Sequence, residues 1–367
     1  GNCLGNLMDY MDWRGDVTFA GSPFNEIDNI ILAMTTFVDF SGIVSPAIDS
    51  EPVEFSVAME KFNEVADERN YLGVLIPANI LDIARKAVLC ERYRSIRLTG
   101  FVNQVDEAEQ MQFAALTFIL PDGTIYVAFR GTDDTIVGWK EDIRLGFKTP
   151  VPAHTRAVAY LAEAAACTDG GIRVGGHSKG GNLALWAAVH CPGEVQARIL
   201  NVYNNDGPGL FPEVLEQPSF LAIADRVISF IPQSSVVGAI LEQGPISRIV
   251  KSNEDGIMQH DPLSWEVLGP RFVYLEERSK FGKHFEEAIG HWIYSMSEEE
   301  KAHFAEALFS VIDSTGARTL TELNRARIKN FSQMMKALRG LDHDSRSMML
   351  RTIMKLFGGS REVKNKE

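Results

Sequence analysis

The stretch VGGHSKGGN, residues 174–182, places a single serine between two pairs of glycines. An apolar run precedes the stretch and the helical run GNLALWAAVH overlaps its end, so it joins a predicted strand to a predicted helix. Glycine weakens both kinds of element, because it adds no side-chain packing and has more backbone freedom to lose. The glycines therefore indicate a turn whose backbone other residues do not readily adopt.

Within this stretch, GHSKG matches the pattern G-x-S-x-G of a nucleophile elbow. In such an elbow the serine, here Ser178, sits on a sharp strand-to-helix turn, and Gly176 and Gly180 avoid side-chain clashes. The helix that begins at once lets the Lys179 N–H point at a developing oxyanion. The alternative is a glycine-rich turn whose serine only caps a helix. We read His177 as structural, with its side chain pointing away from the hydroxyl.

The spacing of apolar residues changes twice along the chain. It is helical up to residue 95, includes strand patterns from residue 96, and is helical again from about residue 280. Strands are predicted at 96–105, 110–120, 124–131, 171–176, 198–204, 226–232 and 246–252, with a PDG hairpin turn at 121–123. Their alternation with helices predicts an α/β fold with a mostly parallel central sheet and helices on both faces. We expect a helical N-terminal extension packed on the core (1–95), an α/β core (96–279) and a helical C-terminal extension (280–367). The last extension is a candidate cap or lid, and the terminal helices are equally candidates for a homodimer surface.

The composition excludes several classes of function. The 367 residues carry a net charge of −13, which argues against binding to nucleic acid or anionic lipid. The four cysteines show neither CxxC nor metal-ligand spacing, so we expect no metal and a reducing, cytoplasmic compartment. No apolar run reaches the roughly 18 residues of a membrane span, and GNCLGNLMDY does not resemble a secretory signal. No organic cofactor is implied.

Two further motifs accompany the elbow. FRGT (129–132) ends a predicted strand and WKED (139–142) follows it, before GHSKGGNLA (176–184). In this order they resemble the class 3 lipases, fungal-type triacylglycerol lipases of the α/β-hydrolase fold, over roughly residues 96–265. The resemblance implies Thr132 as a second oxyanion donor and Asp142 as the support of its loop. For Arg130, Trp139 and Asp142 we expect loop packing and ion pairing, and no direct catalytic role.

The whole chain is also similar to an uncharacterised bacterial family with a lipase-like core. YMDWRGDVTFAGSPFNEID, IPQSSVVG and QHDPLSW carry that similarity. It implies a fold and leaves the substrate open.

A serine nucleophile needs a base, and the base needs an orienting acid. In α/β-hydrolases the chain order is serine, acid, histidine. His260 lies in the loop signature MQHDPLSW after the last predicted core strand, and is our candidate base. The other histidines after Ser178 fall in helical patterns, at His190, His284, His291, His303 and His343.

The acid is harder to place. Class 3 lipases carry it after the strand that here reads RVISFIP, but this chain continues QSSVVG without a carboxylate. Asp206, in YNNDGPG at the end of the preceding strand, is the nearest replacement, unless it serves only as a turn residue. Three other aspartates are lesser candidates, and either of two serines could orient His260 without a charge: Asp225, Asp255, Asp261, Ser234 and Ser235.

These residues predict a serine hydrolase that cleaves a small-molecule carboxylic ester through an acyl-enzyme on Ser178. Two rivals remain open: a catalytically degenerate binding protein, favoured by the missing acid, and a peptidase on the same fold. Lys179 stands where the lipases often have leucine. Its ammonium would lie at the pocket mouth and favour anionic substrates, or it would simply be solvated.

Overall fold

The computed structural model describes residues 5–66, 78–132 and 136–314, together with a few single residues beyond 314. In these residues nine strands form one sheet in the order β1-β2-β3-β4-β5-β6-β7-β8-β11, and β9 pairs with β10 beside it. The strands are β1 (Val53–Glu54), β2 (Arg97–Asp106), β3 (Met111–Ile119), β4 (Ile125–Phe129), β5 (Ile172–His177), β6 (Ile199–Asn205), β7 (Val227–Pro232), β8 (Ser247–Val250), β9 (Val267–Leu268), β10 (Arg271–Phe272) and β11 (Tyr274–Leu275). Every strand predicted from the sequence is present.

The sheet is mixed, so the fold class α/β is confirmed but the expectation of a mostly parallel sheet is wrong. Parallel pairing is confined to β4 through β8. β1 to β4 pair antiparallel, and β11 adds an antiparallel edge to β8. For β2–β3 and β3–β4 the reason lies in the connections, because strands joined by tight turns can pair only antiparallel. The predicted PDG turn is one of these, with Gly123 at φ 85° between β3 and β4.

The helices are α1 (Leu7–Arg14), α2 (Glu26–Thr35), α3 (Phe55–Val65), α4 (Leu81–Ala87), α5 (Glu91–Arg94), α6 (Ile136–Leu145), α7 (Pro152–Ala166), α8 (Lys179–His190), α9 (Gly193–Gln196), α10 (Pro212–Leu215), α11 (Pro218–Leu221), α12 (Lys280–Ser295) and α13 (Glu298–Ser314). One core lies between the sheet and α7, α8, α12 and α13, and includes Val127, Val174 and Leu183. A second core lies on the opposite face under α1 to α5, and includes Ile31 and Tyr126. Helices on both faces are therefore confirmed.

The helices that cover the second face of the sheet are not the ones that the alternation of strands and helices predicts. The strands from β1 to β8 lie side by side in chain order. Right-handed crossovers in such a sheet place all linking helices on the same face. The opposite face is therefore left for the N-terminal helices to bury. The division of the chain into three parts remains a prediction, and most of the predicted C-terminal extension beyond residue 314 lies outside the described residues.

Candidate active site

Ser178 lies on a strained turn between β5 and α8. Its backbone has φ 60° and ψ −131°, and it is the residue immediately before the helix. A Cβ on Gly176 would lie 2.3 Å from the carbonyl carbon of Gly180, and a Cβ on Gly180 would lie 2.1 Å from the Phe129 oxygen. Side chains at these positions would thus overlap main-chain atoms. This crowding explains why the sequence has glycine at both positions.

The end of β6 brings Asp206 beside the elbow. β5 and β6 are parallel with His177 opposite Asn205, and the Ser178 N–H donates to the Asn205 oxygen over 3.0 Å. The next residue, Asp206, is 1% exposed, and its Oδ2 lies 2.6 Å from Nδ1 of His260, which is 3% exposed. A carboxylate oxygen only accepts, so Nδ1 carries the proton and Nε2 is left as an acceptor.

His260 ends a turn of 3₁₀ helix, Gly256–His260, that follows β8 along the chain. Among the hydrogen bonds of the described residues there is none between its ring and the Ser178 hydroxyl. Contacts of this kind are often long in an enzyme without substrate and tighten when substrate binds. Asp206 and His260 are therefore in contact, and Ser178 directly follows β5, the strand that pairs with β6. Their catalytic roles remain predictions.

The Asp206 carboxylate is held on its other side by the loop after β7. Its Oδ1 accepts from the Ser235 hydroxyl and, over 3.2 Å, from the Gly238 N–H. Arg278 donates to the Ser235 carbonyl oxygen, and burial lowers the pKa of this guanidinium while Glu286 and Asp206 oppose that shift. Asp206 keeps φ at 53°, in the left-handed region. This non-glycine residue is thus fixed by its surroundings in a costly conformation.

The other candidates for orienting His260 have different partners. Ser235 bonds the acid and Ser234 shares a 2.6 Å hydrogen bond with Ser279. Asp261 accepts from the Leu263 N–H over 2.9 Å and so caps a turn, and burial raises its pKa. The side chain of Asp225 is 86% exposed, and Asp255 is exposed as well. The geometry therefore singles out Asp206.

His177 packs against the predicted base. Its ring centre lies 4.3 Å from that of His260, and its Nε2 donates to the His260 carbonyl oxygen over 2.7 Å. Burial, with a smaller effect of His260, holds the pKa of His177 well below its ordinary value, so the ring is neutral. This agrees with a structural role, but nothing in the sequence indicates that the two rings would be in contact.

The Arg-Gly-Thr loop after β4 lies against the elbow. A Cβ built on Gly131 would be 3.3 Å from the Ser178 Cβ. The Thr132 hydroxyl donates to Asp142, as the resemblance implies. Arg130 donates to the Asn103 side chain over 2.9 Å and is buried, which agrees with loop packing. The side chain of Trp139 lies outside the described part of the chain.

Both expectations for the Lys179 side chain are wrong. It is 2% exposed and forms an ion pair with Glu141, which is fully buried. Its ammonium also donates to the Gln112 carbonyl oxygen over 2.7 Å. Sequence reasoning missed Glu141, although a lysine in the first turn of an apolar helix is a signal that a buried counter-charge is needed.

In residues 5–66, 78–132 and 136–314, no group of three or more potential metal ligands is placed to hold an ion. Over the same residues no helix has the length and apolarity to cross a membrane.

The mixed sheet with helices on both faces defines an α/β protein, and the family match that follows supports a lipase-like fold. A family model described as Mbeg1-like matches residues 88–310, more than half of the sequence, and the chain belongs to this family. A solved structure described as the crystal structure of M37 lipase is 14% identical to the chain, with a TM-score of 0.31. That match covers 44% of this chain and 62% of the lipase's length. No curated protein matches the sequence.

Proposed function

We propose that this protein is a serine hydrolase of the α/β-hydrolase fold that cleaves carboxylic esters through an acyl-enzyme on Ser178. The observation that carries the proposal is the 2.6 Å contact between Asp206 and His260 at the strand ends beside the elbow. A buried carboxylate that fixes the protonated nitrogen of an imidazole leaves the other nitrogen ready to accept a proton. A serine held on a strained turn next to this pair is the group that such a base activates.

In the first half of the reaction, the Ser178 hydroxyl adds to the ester carbonyl carbon while Nε2 of His260 takes its proton. The tetrahedral adduct then expels the alcohol, which receives that proton, and Ser178 carries the acyl group. In the second half, water adds to the acyl-enzyme with its proton passing to His260. Collapse releases the carboxylic acid and returns the proton to Ser178. Asp206 remains ionised and stabilises the imidazolium in both halves.

The negative oxygen of each adduct needs donors close to Ser178. The proposed donors are the main-chain N–H groups of Lys179 and Thr132, because the single hydrogen of the Thr132 hydroxyl is already donated to Asp142. Lys179 begins α8, where N–H groups have no partner within the helix and the helix dipole favours negative charge. Loss of one such donor typically costs about 3 kcal/mol of transition-state stabilisation.

The binding-protein alternative depended on the missing carboxylate after β7. The contact of Asp206 with His260 removes that reason, because a carboxylate reaches the ring from the adjacent strand. The peptidase alternative shares every proposed catalytic residue. A peptidase differs from an esterase here only in its substrate, and the Arg-Gly-Thr loop, which is part of the lipase resemblance, favours an ester.

The test is labelling with a fluorophosphonate probe, followed by turnover of matched p-nitrophenyl esters and p-nitroanilides. We expect the protein to be labelled, Ser178→Ala to lose labelling completely, and Ser247→Ala, which changes an exposed serine on β8, to label normally. Ester turnover should exceed anilide turnover. Folded protein that neither labels nor turns over esters would refute the proposal, and anilide turnover without ester turnover would favour a peptidase.

A further inference from the structure

The two proposed oxyanion donors are tied to adjacent carboxylates of one helix. Asp142 on α6 accepts from the Thr132 hydroxyl, which belongs to the Arg-Gly-Thr loop. The preceding residue, Glu141, accepts from the Lys179 ammonium. Lys179 directly follows Ser178, so both halves of the proposed oxyanion hole are attached to the same turn of α6.

The Lys179–Glu141 pair is buried and well supplied with hydrogen bonds. The ammonium donates to the carbonyl oxygen and, over 3.3 Å, to the side-chain oxygen of Gln112, besides Glu141. Glu141 accepts from the Gln112 N–H over 3.1 Å through Oε1, and from the Ala153 N–H over 2.9 Å through Oε2. The ammonium is also 4.0 Å from Asp142 Oδ1. The pair therefore joins the elbow to β3, α6 and the start of α7.

Stability alone does not explain such a pair. Removing two charges from water is costly, and well-packed apolar residues of similar volume often stabilise a fold equally well or better. A geometric role explains it better. The direction of the Lys179 N–H is set by its peptide plane, because the Ser178 carbonyl oxygen in that plane accepts from the Gly181 and Asn182 N–H groups over 2.9 and 3.3 Å. These bonds do not set the position of the Lys179 N–H relative to the Arg-Gly-Thr loop. Anchoring the Lys179 side chain on α6 holds the start of α8 in place relative to that loop, which Asp142 anchors on the same helix.

We propose that Glu141 is a positioning residue, which acts through the Lys179 ammonium to hold the Lys179 N–H in place beside the Arg-Gly-Thr loop. Through Glu141 and Asp142, α6 then fixes the distance between the two donors. This inference rests on the proposed hydrolase function. Because an oxyanion exists only in the transition state and the adducts, a displaced donor lowers kcat and leaves KM nearly unchanged.

The test compares Lys179→Met, Glu141→Gln and the double variant by thermal unfolding and by ester kinetics. Each single change leaves one buried charge without its partner and should lower the melting temperature sharply. The double variant contains neither charge and should recover part of that stability, since the introduced amide can accept from only one of the Gln112 and Ala153 N–H groups. Its kcat and its rate of fluorophosphonate labelling should nevertheless stay about 10- to 100-fold below those of the unmodified protein, with KM within about twofold.

Lys140→Met is the matched control, because Lys140 also lies on α6 and pairs with Asp313 at 2.5 Å, on α13. It should keep normal kinetics. A double variant that is stable and acylates at the normal rate would overturn the inference and leave the proposed function intact. If the double variant does not fold, Glu141→Asp replaces it in the test. This change keeps the negative charge and moves the carboxylate by one methylene. A normal kcat in Glu141→Asp would also overturn the inference. Absence of labelling in the unmodified protein would overturn both proposals.

Discussion

Replacement of Asp206 by asparagine tests the roles of both Asp206 and His260. Oδ1 accepts from the Gly238 N–H, and a main-chain N–H can only donate. The introduced asparagine must therefore keep its oxygen at that position and place its NH₂ group where Oδ2 faces Nδ1 of His260, 2.6 Å away. The NH₂ group donates, so Nδ1 becomes the acceptor and the proton of the neutral ring moves to Nε2. In this tautomer His260 has no free nitrogen to take the Ser178 proton.

The expected loss is about 10⁴-fold in kcat, the size seen when the same change fixes the wrong tautomer in a serine protease, or about 5 kcal/mol of barrier. Folding should change little, since shape and most hydrogen bonds are kept. The assay is ester turnover together with the rate constant of fluorophosphonate labelling, with thermal unfolding as a check. Asp261→Asn is the control: its carboxyl group only caps a turn, and asparagine caps equally well. Labelling of Asp206→Asn within tenfold of normal would refute the tautomer reasoning.

Three further changes have expected outcomes in urea unfolding. Gly180→Ala places a Cβ 2.1 Å from a carbonyl oxygen and should lower the free energy of unfolding by at least about 3 kcal/mol. In the control Gly193→Ala the Cβ meets open space, so stability should not change. Equal stabilities of the two variants would contradict this. Burial lowers the pKa of His154 to about 3, whereas in the unfolded chain it is about 6.5. Below pH 6.5 only the unfolded chain takes up this proton, so the free energy of unfolding falls by about 2 kcal/mol by pH 5. His154→Gln should therefore lose about 2 kcal/mol less than the unmodified protein between pH 7.5 and 5, and an identical pH dependence would contradict the shift. Ser235→Ala removes a hydrogen bond to the buried Asp206 carboxylate and should cost about 1.5–3 kcal/mol, and an unchanged midpoint would show that this bond contributes nothing.

The elbow and the strands could be predicted because their signals are local. Glycine two residues before Ser178 reflects a clash within the turn, with Gly180, and each strand shows its own apolar pattern. Glycine two residues after Ser178 belongs to the same short motif, although the clash that it avoids is with Phe129 on β4. The acid could not be decided in the same way. Asp206 reaches His260, 54 residues further along the chain, only because β6 lies beside β5 in a register that a single sequence does not specify.

The Lys179–Glu141 pair was missed for a related reason. Glu141 has no assigned role in WKED, and the interpretation of Lys179 assumed that a lysine remains near solvent. Its partner is 38 residues earlier, on the helix that follows the Arg-Gly-Thr loop, and only the packing of α6 on β3 joins them. The mixed character of the sheet has the same origin, since strand pairing depends on the connections and less on the strands themselves.

The arrangement of the sheet also gives the N-terminal helices a part in forming the site. With β1 to β8 in chain order, the linking helices cover one face, and α2 lies on the other. From there Asn29 exchanges side-chain hydrogen bonds of 2.8 and 3.0 Å with Asn205, the residue before Asp206. Asn205 also donates to the Gly176 carbonyl oxygen over 3.0 Å, so one buried amide group joins α2 to the strand ends that carry the elbow and the acid. Buried polar groups of this kind are costly unless all their hydrogen bonds form, and so they favour one relative position of helix and sheet. The helices of residues 5–66 therefore do more than shield an apolar face, because α2 fixes the strands from which Ser178 and Asp206 project.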